Sequence, residues 1–218
     1  MKRSISNIED DQIIAQDIKI IVIGDSSTGK SSFVNYITKL TDIRNYKFQK
    51  NYDPTNNFDL NQISLDTNKG KIIIDLWDTA GQEKYGKLRN AYIKGADGVL
   101  VFYDISEKKT IENVPTWLKQ IQQIAPNVPV AVIGNKSDKF GNIQLAENVK
   151  IRECNLKRDI GHSQIKNFLI SIKNNTHLGF NITGFIFSTL TIQEEQGCLN
   201  GLEYVLSIIC KNTITINC

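Results

Sequence analysis

The segment Gly24-Asp-Ser-Ser-Thr-Gly-Lys-Ser31 has the spacing G-x-x-x-x-G-K-S. It stands between an apolar β-branched run, Ile18 to Ile23, and an apolar helix start at Phe33 and Val34. Strand, glycine turn and helix in that order make a loop whose backbone N–H groups can wrap a polyphosphate, with the helix dipole favouring the negative charge. Bulky side chains at Gly24 or Gly29 would obstruct that approach. Ser26, Ser27, Thr28 and Ser32 complete the phosphate-binding set, Lys30 can reach the β- and γ-phosphates, and the Ser31 hydroxyl is placed to ligate Mg²⁺, a hard cation that takes oxygen ligands.

Two further strand ends carry chemistry. Ile72-Ile-Ile-Asp-Leu-Trp-Asp78 is an apolar run that delivers a carboxylate, and Thr79-Ala-Gly81-Gln82 follows it. This order brings Asp78 toward a metal's outer shell, lets the Gly81 N–H approach a γ-phosphate, and gives Gln82, whose amide both donates and accepts, the orientation of an attacking water. After Val130 to Ile133 comes Asn135-Lys136-Ser-Asp138. A carboxylate at Asp138 can accept both N1–H and the exocyclic amine of guanine, a donor pair that adenine lacks, so the loop selects guanine.

The elements that must position these loops are a strand–helix alternation. Ile18 to Ile23, Ile72 to Leu76, Val99 to Phe102 and Val130 to Ile133 predict buried strands, Asn57 to Leu65 and Asn167 to Ile172 add two more, and Thr116 to Ile124 predicts a helix between them. The expected fold is α/β: a doubly wound, mostly parallel sheet with helices on both faces and ligands beyond the carboxyl ends of the strands. Lys39 to Gln49 reads as a polar excursion that lengthens the first helix or the loop after it.

At 218 residues, with 40% hydrophobic and 22% charged residues, the chain can bury a core, and a single domain is the default. A net charge of +3 predicts no nucleic-acid partner and excludes a polyelectrolyte arm. No apolar run approaches the roughly 20 residues of a membrane span, and the chain reads as cytosolic or nuclear. Cys154, Cys198, Cys210 and Cys218 show no C-x-x-C pairing, with only His162 and His177 to complete a zinc site, so free or buried thiols are expected.

With GDSSTGKS, WDTAGQE and GNKSD in this order, about residues 17 to 190 resemble the small GTPases of the Ras superfamily. The resemblance implies a phosphate-loop G domain, with GTP and GDP as substrate and product and Mg²⁺ as cofactor. It also implies an exchange factor, a GTPase-activating protein and effectors as partners. Thr55, in Tyr52-Asp-Pro-Thr55, looks like the first-switch residue that binds Mg²⁺ and reports the γ-phosphate. Phe48 resembles the aromatic that packs on the guanine face. Ser171-Ile172-Lys173 resembles the triplet that completes the base site, while a competing alignment puts the last strand at Phe185 to Thr191 and the last helix at Asn200 to Lys211. Asn56-Asn57 departs from the apolar residue and glycine usual there, and Ser26-Ser27 from the small residues usual near the γ-phosphate.

On this alignment residues 1–16 form a polar arm, 17–211 the G domain with an insertion within 139–200, and 212–218 a short tail. Tyr92-Ile-Lys-Gly-Ala-Asp-Gly-Val-Leu-Val-Phe-Tyr-Asp and Ile111-Glu-Asn-Val-Pro-Thr-Trp-Leu are similar to the vesicle-trafficking Rab branch, whereas Glu83-Lys-Tyr-Gly-Lys-Leu-Arg is closer to the nuclear-transport Ran branch. The expected function is a slow GTPase switch. It would sit in the cytoplasm, on vesicles if Rab-like or in the nucleus if Ran-like, and would meet membrane only if Cys218 is prenylated.

Overall fold

In a computed structural model, which describes residues 13–39, 58–79, 91–136, 182–186, 195–211 and 213–216, the run Ile18 to Ile23 is the middle of a longer strand, β1 (Ile13–Gly24). Its side chains alternate between two cores. Ile18, Ile20 and Val22 enter one, Ile21 and Ile23 the other, so the strand is buried on both faces. After β1 come α1 (Lys30–Lys39), β2 (Phe58–Thr67), β3 (Gly70–Thr79), β4 (Gly98–Asp104), α2 (Lys108–Ile124), β5 (Val130–Asn135), β6 (Ile182–Ile186) and α3 (Glu195–Ile209).

The strands form one sheet in the order β2-β3-β1-β4-β5-β6. Every neighbouring pair is parallel except β2 and β3, which form an antiparallel hairpin. Helices α1 and α3 supply one core, through Phe33, Val34 and Ile37 and through Leu199, Leu202, Val205 and Leu206. Helix α2 supplies the other, through Val114, Trp117, Leu118 and Ile121. The doubly wound α/β fold expected from the alternation is the observed one. Parallel strands with right-handed crossovers bring their carboxyl ends to one edge, so Gly24, Thr79, Asp104 and Asn135 all finish there.

Three boundaries differ from expectation. Helix α2 begins at Lys108, not Thr116, and runs through Pro115. Proline forfeits its N–H bond to the carbonyl of Ile111 and crowds that carbonyl, a cost that the burial of Val114 and Trp117 on either side offsets. At the amino end, residues 13–16 belong to β1 and not to a polar arm: Ile13 and Ala15 pair with Lys71 and Ile72. The register shift beyond them passes Asp17, at φ 57, whose left-handed backbone accommodates a bulge. The strand beside β5 is Ile182–Ile186 and the last helix Glu195–Ile209, close to the competing alignment. The candidate strand 167–172 lies outside the described residues.

The third boundary concerns residues 213–216, expected to be a tail. Ile214 and Ile216 are buried in the same core as α3 and β3. The Asn68 side chain at the hairpin turn donates to the Thr213 carbonyl and accepts from the Thr215 N–H, and the Asn68 N–H donates to the Thr215 carbonyl. Ser207 and Glu203 of α3 accept the N–H groups of Ile214 and Ile216. The segment is therefore a strap from α3 to the β2–β3 turn. Burial pushes the Glu203 carboxyl above its usual range, and the Ile216 N–H only partly offsets that. Among the described residues no helix is long and apolar enough to cross a membrane.

Replacing Ile216 by alanine removes a side chain that is 3% exposed and should cost about 2 to 5 kcal/mol of unfolding free energy. Urea titration measures it. A loss below about 0.5 kcal/mol would show the strap to be dispensable.

Candidate nucleotide site

The loop between β1 and α1 is held by its carbonyl oxygens. Lys30, itself 5% exposed, donates from Nζ to the carbonyls of Gly24 at 3.0 Å and Asp25 at 2.7 Å. The Thr28 hydroxyl also donates to the Asp25 carbonyl, at 2.9 Å. From β5, Asn135 Nδ2 donates to the Thr28 carbonyl at 2.8 Å, and Lys136 Nζ donates to the Ser27 carbonyl. In a trans peptide the next residue's N–H points opposite to the carbonyl. Holding the carbonyls of Ser27 and Thr28 against the donors of β5 therefore turns the N–H groups of Thr28 and Gly29 the other way, the arrangement that receives an anion, while the Gly24 and Asp25 carbonyls fix the Lys30 ammonium itself.

The glycines are needed for a different reason from the one expected. A Cβ on Gly24 would lie 2.1 Å from the Phe102 carbonyl oxygen of β4, and one on Gly29 would lie 2.1 Å from Asn135 Nδ2. Both backbones are also left-handed, at φ 142 and 93. Their missing side chains let the loop lie against β4 and β5, so the constraint comes from the protein itself. Ser27 is left-handed too, at φ 61. This places Ser27, the second serine of the departing pair, at a position that glycine occupies without strain.

Ser26 and Ser27 form the exposed rim of the loop, Thr28 is fully buried, and Ser31 and Ser32 are half-buried in the first turn of α1. The Phe33 N–H closes that turn on the Gly29 carbonyl at 3.0 Å. Asp78, 2% exposed, stands opposite Val22 in the parallel pairing of β3 with β1, and the neighbouring Thr79 hydroxyl donates to the Val22 carbonyl at 2.8 Å. A hydroxyl from the loop helix and a buried carboxylate from the adjacent strand are hard oxygen donors at one sheet edge, a set that suits Mg²⁺.

Asn135 and Lys136 reach the phosphate loop directly. Asn135 is 1% exposed, and its Oδ1 accepts the Lys136 N–H at 2.8 Å. Lys136 Nζ is also paired with Asp104 Oδ2 at 2.7 Å. Burial pushes the Asp104 carboxyl up, but the Lys136 ammonium and the Ser106 hydroxyl and N–H outweigh it and hold the carboxyl below its ordinary value. Asp104 belongs to none of the motifs GDSSTGKS, WDTAGQE and GNKSD. Its signal was positional: Asp104 ends β4 directly opposite Asn135 at the end of β5. Phe48, Thr55, Gly81, Gln82, Asp138, Ser171, Ile172 and Lys173 lie outside the described residues. The strand beside β5 ends at Ile186, so the loop at its carboxyl end begins after residues 171–173.

Compared with models of known families, residues 19–179 match the Ras family. The chain belongs to the Ras family. That match spans the phosphate loop, Asp78 and the Asn135-Lys136 strand end. Membership makes the chain a small GTPase, a switch of the class whose members generally bind GTP and GDP with Mg²⁺, hydrolyse GTP, and work through regulators and effectors.

In this Ras-family chain, Asp104→Asn should remove about 1 to 3 kcal/mol of stability, the worth of a hydrogen bond between charged partners. Because the folded carboxyl titrates below its ordinary value of 3.8, the penalty should be full above that value and vanish as pH falls through the lower folded one. Urea unfolding of both proteins from about pH 7 down to about pH 3 checks this. A penalty independent of pH would remove the ion pair as its cause.

Proposed function

We propose that this chain binds GTP·Mg²⁺ and GDP at the loop 24–31 and slowly hydrolyses the β–γ bond of GTP, as a Rab-like regulator of vesicle transport. The observation that carries the nucleotide reading is the anchoring of the Ser27 and Thr28 carbonyls to β5, with the buried Lys30 ammonium fixed in the same loop by the carbonyls of Gly24 and Asp25. Loop N–H groups and Lys30 then balance the phosphate charge, more strongly in the transition state than in the ground state. Ser31, Thr55 and, through the outer shell, Asp78 would hold Mg²⁺, which when bound neutralises charge on the β- and γ-oxygens.

The remaining roles fall to residues outside the described set. Gln82 orients the attacking water, the Gly81 N–H meets the γ-phosphate, and Asp138 reads guanine beside Asn135 and Lys136. Phe48 covers the base face. An arginine supplied by an activating protein would add a factor of about 10³ to 10⁵. For effectors, the outer hairpin offers Leu60, 51% exposed and cross-strand from Trp77.

In single-turnover assays, Gln82→Leu should slow GTP hydrolysis by roughly tenfold or more and leave GTP affinity nearly unchanged, because the amide acts on water in the transition state. A wild-type chain that holds GTP without turning it over, with or without activators, would instead be a binding-only module.

The second reading, Ran-like nuclear transport, is favoured by Glu83-Lys-Tyr-Gly-Lys-Leu-Arg. Imaging a tagged chain beside its Cys218→Ser variant separates the branches. Vesicular staining that the substitution abolishes is expected; nuclear accumulation independent of Cys218 would favour the Ran-like use.

A further inference from the structure

Asp25 follows Gly24 in the loop, so a carboxylate stands beside a site read here as binding a polyphosphate. Its carboxylate does not face that site freely. Oδ1 accepts from the Trp117 indole Nε1 at 2.8 Å, and Oδ2 accepts from Asn113 Nδ2 at 2.6 Å. Both donors come from α2, one turn apart, so they share a face of the helix, and Trp117 is 4% exposed. The carbonyl of the same residue accepts Lys30 Nζ at 2.7 Å.

Asn113 and Trp117 are neutral, so they hold the carboxylate without cancelling its charge. Released from them, the group would be free to turn back on Lys30, whose ammonium already touches its backbone carbonyl. An ion pair there would occupy the cation needed by the phosphates and would set a negative charge against the incoming γ-phosphate. Holding an acid by two donors from a rigid helix prevents both.

We propose that Asp25 is a positioning residue: Asn113 and Trp117 of α2 tie its carboxylate away from the phosphates while its carbonyl aims Lys30 into them. This rests on reading the loop as a GTP site, and it assigns a role to the Asn113 to Trp117 segment of α2 that the nucleotide chemistry itself does not use. GTP is affected more than GDP because its terminal phosphate brings additional negative charge to Lys30.

The test compares dissociation constants of a non-hydrolysable fluorescent GTP analogue and of the matching GDP derivative, both with Mg²⁺. The proteins are wild type, Asn113→Ala/Trp117→Phe, and that pair combined with Asp25→Asn. Trp117→Phe keeps an aromatic ring in the core and deletes only the donor side of the indole. In the double variant the ratio of GTP-analogue to GDP dissociation constants should rise roughly tenfold, and the rise should shrink in high salt, as charge repulsion is screened. Adding Asp25→Asn should return the ratio to within about threefold of wild type. Should the double variant fail to fold by circular dichroism, Trp117→Phe alone should raise the ratio by about threefold, again reversed by Asp25→Asn. A folded variant with an unchanged ratio, or a loss that Asp25→Asn does not reverse, overturns the proposal and leaves the GTP site standing. Wild type that binds neither nucleotide overturns the GTP reading, and this proposal falls with it.

Discussion

The loop between β1 and α1 depends on one constraint: the carbonyl oxygens of Gly24, Asp25, Ser27 and Thr28 are held by the protein's own side-chain donors. Lys30 takes those of Gly24 and Asp25, Asn135 that of Thr28, and Lys136 that of Ser27. A peptide group held by its oxygen presents its N–H to the opposite side, so holding the Ser27 and Thr28 carbonyls from β5 also turns the Thr28 and Gly29 N–H groups toward an anion. The glycines serve this constraint, because only a residue without Cβ lets the loop lie against the Phe102 carbonyl and the Asn135 amide.

The donors must themselves be fixed, and the sheet fixes them. Asn135 ends β5, where parallel pairing with β4 sets it opposite Asp104, and Asp104 in turn holds the Lys136 ammonium. Asp78 arrives on β3, paired with Val22 two residues before the loop begins. Burial on both faces gives these strands their rigidity: β1 contributes alternate side chains to two separate cores, and β4 and β5 are buried along their whole length. Precision at the sheet edge is thus a consequence of packing well below it.

The opposite edge is closed by the strap 213–216, which ties α3 to the β2–β3 turn through Asn68, Ser207 and Glu203. The hairpin carries Phe58 at one end, across from Thr79 beside the site, and Thr67 at the other, bridged to Ile216. One antiparallel pair therefore runs from the nucleotide loops to the strap, and its register links the two ends of the molecule.

The amino-acid sequence by itself determined the phosphate loop, the strand–helix alternation and the family, because each is written in contiguous residues. A loop, its lysine and the helix it enters are neighbours in the chain, and burial on both faces of a strand shows as an unbroken apolar run. It also placed Asp78 and Asn135 at strand ends. It did not reveal the hold of Trp117 on Asp25, of Asn135 on Thr28 or of Lys136 on Asp104, nor that residues 213–216 belong to the core. These partners are 92 residues apart for Asp25 and Trp117 and 107 for Thr28 and Asn135. Periodicity encodes which face of an element is buried but not which element lies beside it. That choice, and with it the donor for each loop carbonyl, was settled only when the strands took the order β2-β3-β1-β4-β5-β6.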